Sequence, residues 1–134
     1  RIRVNIKDSL ENTFLSVGHA YRAKRNGEIV SYAKNHFESL LAVTEQGAQY
    51  RRSGSAALDL AYVAAGRFDG YFELGLKPWD IAAGELIVKE AGGTVVDARG
   101  GSDSIENGQV IACSMKMLKP LMQAVVPAWG DAAK

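Results

Sequence analysis

The fifteen residues from 79 to 93 constrain the fold of this chain more than any other segment. They read Trp-Asp-Ile-Ala-Ala-Gly-Glu-Leu-Ile-Val-Lys-Glu-Ala-Gly-Gly and follow Pro78. Proline suits the first position of a helix, because its φ is preset and the N–H that it lacks would have no partner there. The terminal glycine pair can adopt the left-handed geometry that ends a helix. The segment therefore predicts a helix of roughly three to four turns that begins at Pro78.

One acidic side chain, Asp80, lies in the first turn of this predicted helix. The first backbone amides of a helix have no partner within it, and they carry a partial positive charge. A carboxylate there has a structural explanation, because it complements the helix dipole. It also has a functional one, since Mg²⁺ prefers carboxylate oxygens as protein ligands. The position in the helix by itself favours the structural explanation.

The rest of the chain alternates short apolar runs with helical patterns. We predict strands at residues 13–18, 49–52, 70–74, 94–97 and 110–113, and helices at residues 28–42, 55–65 and 115–129. Asn107-Gly108 is typical of a tight turn, and Pro120 and Pro127 are expected in the first turn and at the end of the last helix. Such alternation predicts an α/β fold, one domain with a sheet of about five strands covered by helices.

Composition excludes several classes of protein. The net charge of the 134 residues is +1, and the one basic cluster, Arg22, Lys24 and Arg25, is too short to indicate a nucleic-acid interface. Cys113 is the single cysteine, which excludes an internal disulfide or a cysteine pair for a metal and fits a cytoplasmic setting. No apolar run reaches the roughly 18 residues of a membrane span.

The segment at 79–93, with residues 51–59 and 66–73 upstream, resembles the carboxy-terminal signature of the inositol monophosphatase family of metal-dependent sugar phosphatases. It looks closest to the family's bacterial extragenic-suppressor type. The resemblance implies that relatives are roughly twice as long and that this chain matches their second half. Arg1-Ile2-Arg3-Val4 also reads as the interior of a protein. We therefore expect residues 1–134 to form a single domain, the carboxy-terminal αβα half of the layered sugar-phosphatase fold, without the amino-terminal catalytic half.

The resemblance also implies roles for particular residues. Asp80 corresponds to a ligand of catalytic Mg²⁺, and Glu73 to an acceptor of hydrogen bonds from the hydroxyls of a polyol. The ring hydroxyls of the substrate are expected beside Gly54, Ser55 and Ala56, where small residues open a helix, although Ser55 is also a natural N-cap.

Arg51 matches a position near the substrate or the dimer interface in the bacterial type. Arg52 follows it directly, and the pattern does not distinguish between the two arginines.

The implied activity is Mg²⁺-dependent, lithium-sensitive hydrolysis of inositol-1-phosphate or a related polyol phosphate by a dimeric, full-length parent protein. Phosphate hydrolysis of this kind uses two or more ions held close together. Their other ligands belong to the first half of the family fold, so the isolated chain is expected to be inactive.

Three alternatives remain. A fructose bisphosphate or adenosine 3′,5′-bisphosphate phosphatase shares the fold, although Glu73 favours a polyol substrate. The bacterial type is also linked to transcription antitermination through transcription factors and RNA polymerase, for which no interface is readable in the sequence. In the third reading, this portion only completes the fold and the dimer interface.

Three other features are interpreted as structural. His36 lies on the apolar face of its predicted helix and is expected in a core or an interface. Trp79 is expected to pack as an aromatic anchor at the helix start. Ala82, Ala83 and Gly84 are expected to pack closely between helix and sheet.

Overall fold

The computed structural model describes residues 1–19 and 23–134, so Arg22 of the basic cluster lies outside the described residues. The strands are β1 (Phe14–His19), β2 (Ala23–Arg25), β3 (Glu28–Val30), β4 (Gln49–Arg51), β5 (Gly70–Leu74), β6 (Gly93–Val96) and β7 (Val110–Ser114). The helices are α1 (Ala33–Glu45), α2 (Ala56–Ala64), α3 (Pro78–Glu90), α4 (Ser104–Asn107) and α5 (Met115–Trp129), followed by a 3₁₀ turn at Gly130–Ala133. The predicted α/β class is confirmed.

Five of the described strands form one mixed sheet in the order β4-β1-β5-β7-β6. Strands β4, β1 and β5 are parallel, whereas β7 runs antiparallel to both β5 and β6. The carboxyl ends of the three parallel strands therefore lie at one edge of the sheet. Helix α2 follows β4 and helix α3 follows β5, so both helices begin at that edge.

The sheet separates two apolar clusters because successive side chains of a strand point to opposite faces. On one face, Leu15 and Val17 of β1 and Phe72 of β5 pack with residues of α1 and α5. On the other face, Tyr71 of β5 packs with residues of α2 and α3. The result is three layers, with the sheet in the middle.

Helices α2 and α3 approach each other at Gly84. A Cβ atom added to Gly84 would lie 2.6 Å from both Cβ and Cδ1 of Leu60, which is fully buried in α2. The close packing predicted for Gly84 is therefore present, but its partner is a helix and not the sheet. Ala82 and Ala83 are exposed, so the same prediction is wrong for them.

The prediction of a helix at residues 28–42 is wrong at the amino-terminal end of that range. Glu28–Val30 form β3, which pairs with β2 in a hairpin, and α1 begins only at Ala33. Asn26 and Gly27 both have positive φ, 51° and 81°, as the two-residue turn of a hairpin requires. This turn prevents the helix from extending back to Glu28.

Three other sequence signals have outcomes different from those expected. Asn107-Gly108 does not connect two strands, because Asn107 ends α4 and Gly108 is its left-handed C-cap. Pro120 and Pro127 both lie inside α5, which extends to Trp129. Trp79 is 78% exposed, so it is not a packed anchor; it lies in the first turn of α3 at the sheet edge.

His36 is buried in α1, as expected, and its ring stacks on that of His19 at the end of β1 with 4.2 Å between the ring centroids. Burial, followed by the charges of His19 and Arg52, lowers the pKa of His36 to about 4. Both rings are therefore packed in their neutral form near pH 7. No helix in the described part of the chain has the length and apolar character needed to cross a bilayer.

We predict that Gly84→Ala destabilises the protein although alanine is the better helix former. The helix propensity gain is about 1 kcal/mol, but forcing a methyl group into a packed contact costs about 1–3 kcal/mol. The clash with Leu60 involves its Cβ atom, which cannot rotate away. Urea unfolding measures the difference in free energy. Ala83→Gly is the control for propensity at an exposed neighbour, and a Gly84→Ala variant more stable than the wild type would contradict the packing described.

We predict that the contribution of His36 to stability declines between pH 6.5 and about 4. Its folded pKa is below the unfolded value of 6.5, so the unfolded chain takes up the proton first as the pH falls. The stabilisation is complete above pH 6.5, falls through this window and is constant below it; the total is about 1–3 kcal/mol. Urea unfolding of the wild type and of His36→Gln at several pH values isolates the contribution. Parallel pH profiles for the two proteins would contradict it.

Candidate functional site

A cavity of about 220 Å³ lies at the carboxyl edge of the parallel strands. This is where an α/β sheet ordinarily binds its ligand. Its lining comes from the ends of β1 and β5, the starts of α2 and α3 and the loops between them, namely Gly18, His19, Arg52, Gly54, Ala56, Glu73, Gly75, Leu76 and Asp80. The structure thus brings Asp80, Glu73, Gly54 and Ala56, four residues chosen from the sequence, to one cavity.

Glu73 is the penultimate residue of β5, and its side chain lies on the face covered by α2 and α3. The hydroxyl of Tyr71 donates a hydrogen bond to its Oε1 over 2.5 Å. Burial raises the pKa of Glu73 to about 7; the charges of Asp59 and Asp80 add to the increase, whereas the Tyr71 hydrogen bond and Arg52 oppose it. Near neutral pH a larger fraction of this carboxyl group is therefore protonated than in a glutamate fully exposed to water.

Asp80 has the structural role that its helix position suggested. Its Oδ2 accepts a hydrogen bond from the backbone N–H of Lys77 at 2.9 Å, at the residue that caps α3. Its other oxygen has no hydrogen-bond partner within residues 1–19 and 23–134. Capping thus uses one oxygen and leaves the other for a ligand in the cavity.

At the start of α2, Ser55 acts as the N-cap. Its hydroxyl accepts a hydrogen bond from the backbone N–H of Leu58 at 3.3 Å. Gly54 and Ala56 on either side line the cavity, whereas Ser55 is not among the lining residues of the described chain. The backbone N–H of Ala56 forms no hydrogen bond in that part of the chain, and it is the kind of donor that binds anions and hydroxyl oxygens at a helix start.

Asp59 holds α2 against β1. It is buried and accepts hydrogen bonds from the hydroxyls of Ser16 at 2.5 Å and Ser53 at 2.6 Å. Burial raises its pKa, and the two serine hydrogen bonds oppose the increase. Asp59 therefore aligns the loop that ends in Gly54 with the sheet, but it does not line the cavity.

The structure places the two arginines in different surroundings. Arg51 is exposed on the outer strand β4, where its guanidinium group lies 5.2 Å from the centre of the Phe14 ring. Arg52 lines the cavity and donates a hydrogen bond to the carbonyl of His19 at 3.3 Å. The arginine at the cavity is therefore Arg52.

The loop between β5 and α3 is held by a glycine that the sequence assigned to a turn. Leu76 donates a backbone hydrogen bond to the carbonyl of Gly108 at 3.1 Å. A Cβ atom on Gly108 would lie 2.5 Å from the carbonyl oxygen of Leu76, so only glycine fits there. Because this loop joins Glu73 to Asp80, Gly108 helps to fix their relative positions.

Asp80 fits a hard metal ion as a single ligand. A carboxylate with one free oxygen suits Mg²⁺, but the described residues contain no cluster of three or more His, Cys, Asp or Glu that could hold an ion. A complete metal site would need ligands from outside this described set. The metal-binding role of Asp80 and the substrate roles of Glu73, Gly54, Ser55, Ala56 and Arg51 stay predictions.

The chain is similar in sequence to known proteins. Residues 2–129 match the model of the inositol monophosphatase family. The chain is 42% identical over all 134 residues to Nus factor SuhB of Escherichia coli and of Salmonella typhimurium. It spans about half the length of these curated relatives, 48% in both cases.

Solved structures show the same fold. The extragenic suppressor protein SuhB of Bartonella henselae superposes with a TM-score of 0.83 at 38% identity, over 93% of this chain and 45% of that one. An IMPase of Thermotoga maritima gives a TM-score of 0.81 at 32% identity, over 98% of this chain and 47% of that one. By sequence and by fold, this chain belongs to the inositol monophosphatase family.

Proposed function

We propose that this chain is the carboxy-terminal half of a Mg²⁺-dependent phosphatase that hydrolyses inositol-1-phosphate or a related polyol phosphate. One observation carries the proposal: Asp80 and Glu73 line the same cavity, together with the start of α2, in a chain of the inositol monophosphatase family. The carboxylate of Asp80 suits a cation, and that of Glu73 suits a hydroxyl group. The backbone amide at the start of α2 suits a further polar group of the ligand. A phosphorylated polyol has groups that suit all three.

In this proposal Asp80 holds the metal with the oxygen that does not cap α3. A bound magnesium ion supplies Lewis-acid chemistry, by polarising the phosphoryl group and lowering the pKa of water. The remaining ligands come from the other half of the protein, so residues 1–134 alone are expected to lack activity. Lithium sensitivity, a dimeric state and a cytoplasmic location belong to the same proposal.

The other residues of the cavity orient the sugar. Glu73 accepts a hydrogen bond from a ring hydroxyl when it is ionised, and the backbone N–H of Ala56 donates one to a second oxygen. Arg52 adds a positive charge to the wall of the cavity. A bisphosphate is the alternative substrate for the same chemistry. The half-buried carboxylate of Glu73 favours a hydroxyl group over a second phosphate, because two anions would repel each other.

Transcription antitermination is the second candidate function, and the name Nus factor of the bacterial relatives favours it. Capture of RNA polymerase and transcription factors by the full-length Asp80→Asn protein separates the two functions. Capture equal to that of the wild type, with lost turnover, supports two independent roles. Absence of capture by both proteins would remove the second candidate.

We predict different defects for Asp80→Asn and Glu73→Gln in the full-length protein. Asparagine keeps the capping oxygen but removes the negative charge, so kcat should fall by roughly two orders of magnitude or more. Glutamine keeps an acceptor oxygen and loses a charged hydrogen bond worth about 1–3 kcal/mol, so KM should rise with a smaller change in kcat.

Steady-state kinetics on inositol-1-phosphate over a magnesium titration distinguish these defects. The surface variant Glu90→Gln, at the exposed end of α3, is the control for loss of a carboxylate from the same helix. A near-normal kcat for Asp80→Asn at ordinary magnesium concentrations would remove Asp80 from the metal site.

A further inference from the structure

The carboxylate of Glu73 is enclosed by two residues that have no assigned role. Tyr71 lies two positions earlier in β5, on the same face of the sheet, and is fully buried. Gly18 of β1 is paired directly with Glu73 in the parallel register of the two strands. One residue supplies a hydrogen-bond donor and the other supplies space.

The donor is the phenol of Tyr71, which lies 2.5 Å from Oε1 of Glu73. Burial, followed by the charge of Glu73, raises the pKa of Tyr71, so the phenol keeps its proton and can only donate to this carboxylate. Oε1 is thereby occupied within the protein. Glu73 forms no other side-chain hydrogen bond within the described part of the chain, which leaves Oε2 as the oxygen available to a ligand.

The space comes from the missing side chain of Gly18. A Cβ atom at this position would overlap Oε1 of Glu73 and lie 2.7 Å from its Cδ. The carboxylate therefore occupies the volume that any other residue at position 18 would fill. The backbone of Gly18 does not have the positive φ that requires glycine, so clearance for Glu73 is the constraint that the structure shows.

We infer that Tyr71 and Gly18 are positioning residues, which hold the Glu73 carboxylate in one orientation and thereby select a ligand that presents a neutral hydroxyl group. The inference rests on the proposed function, because it deepens the role of Glu73 there. Tyr71 does not line the cavity and Gly18 contributes only backbone to it, so both are inferred to act through Glu73. Because one oxygen of Glu73 is already fixed in the free protein, less conformational entropy is lost when the ligand binds.

Tyr71→Phe in the full-length protein removes only the hydroxyl group. KM for inositol-1-phosphate should rise about tenfold, whereas kcat and inhibition by inorganic phosphate, which lacks the polyol ring, should change less than twofold. Tyr62→Phe is the matched control, because it removes a phenol elsewhere in the same layer. An equal loss of affinity for inorganic phosphate would indicate general damage to the site and overturn the inference.

Gly18→Ala tests the space independently. Its Cβ meets the end of a flexible side chain, so the carboxylate should swing away with little loss of stability and KM should again rise about tenfold. Gly101→Ala, whose Cβ would meet its nearest neighbour at an ordinary 3.5 Å, is the control for the substitution itself. In a Glu73→Ala background, both Tyr71→Phe and Gly18→Ala should change KM less than twofold; a persistent tenfold effect there would show that they do not act through Glu73.

Crystal structures of the full-length wild type and Tyr71→Phe give a readout that does not depend on activity. Glu73 should have one conformer over Gly18 in the wild type, and several conformers or a displaced one in the variant. A single unchanged conformer would overturn the inference even if the protein is a phosphatase. Conversely, a normal KM for Glu73→Ala with a displaced carboxylate in Tyr71→Phe would refute the proposed role of Glu73 and leave the positioning intact.

Discussion

The close contact between α2 and α3 is the constraint on which the candidate site depends. Gly84 has no side chain, so α3 can pack directly against Leu60 of α2. Both helices also begin at the carboxyl edge of the parallel strands, since each follows one of these strands through a short loop. The contact therefore places Asp80 in the first turn of one helix near the start of the other, above the end of β5.

One buried and one half-buried carboxyl group are the second characteristic of this face of the sheet. Asp59 and Glu73 both have raised pKa values because they are removed from water, and each is compensated by hydroxyl donors. Asp59 uses its donors to join α2 to β1, a structural purpose. Glu73 lines the cavity and Asp59 does not, which is the difference expected between a carboxylate that binds a ligand and one that supports a site.

Local signals in the sequence predict most of the helices and strands. The features that they do not predict depend on contacts between distant segments of the chain. Pro78 and Gly92 bound α3 closely because caps depend on neighbouring residues only. The hairpin turn at Asn26-Gly27 is not predicted from the sequence, because the residues after it also have helical spacing. Asp80 and Glu73 were found through the family signature, whereas the clearance at Gly18 depends on the register of β1 with β5, which no local pattern encodes.

The central claim is that the cavity at this sheet edge binds a metal ion and a polyol phosphate together. Anomalous diffraction from crystals of the full-length protein with Mn²⁺, a carboxylate-binding substitute for Mg²⁺, and inositol-1-phosphate tests it most directly. We expect a manganese peak coordinated by the oxygen of Asp80 that does not cap α3, and a ring hydroxyl within hydrogen-bond distance of Glu73. A manganese peak away from Asp80, or a ligand bound outside the cavity, would contradict it.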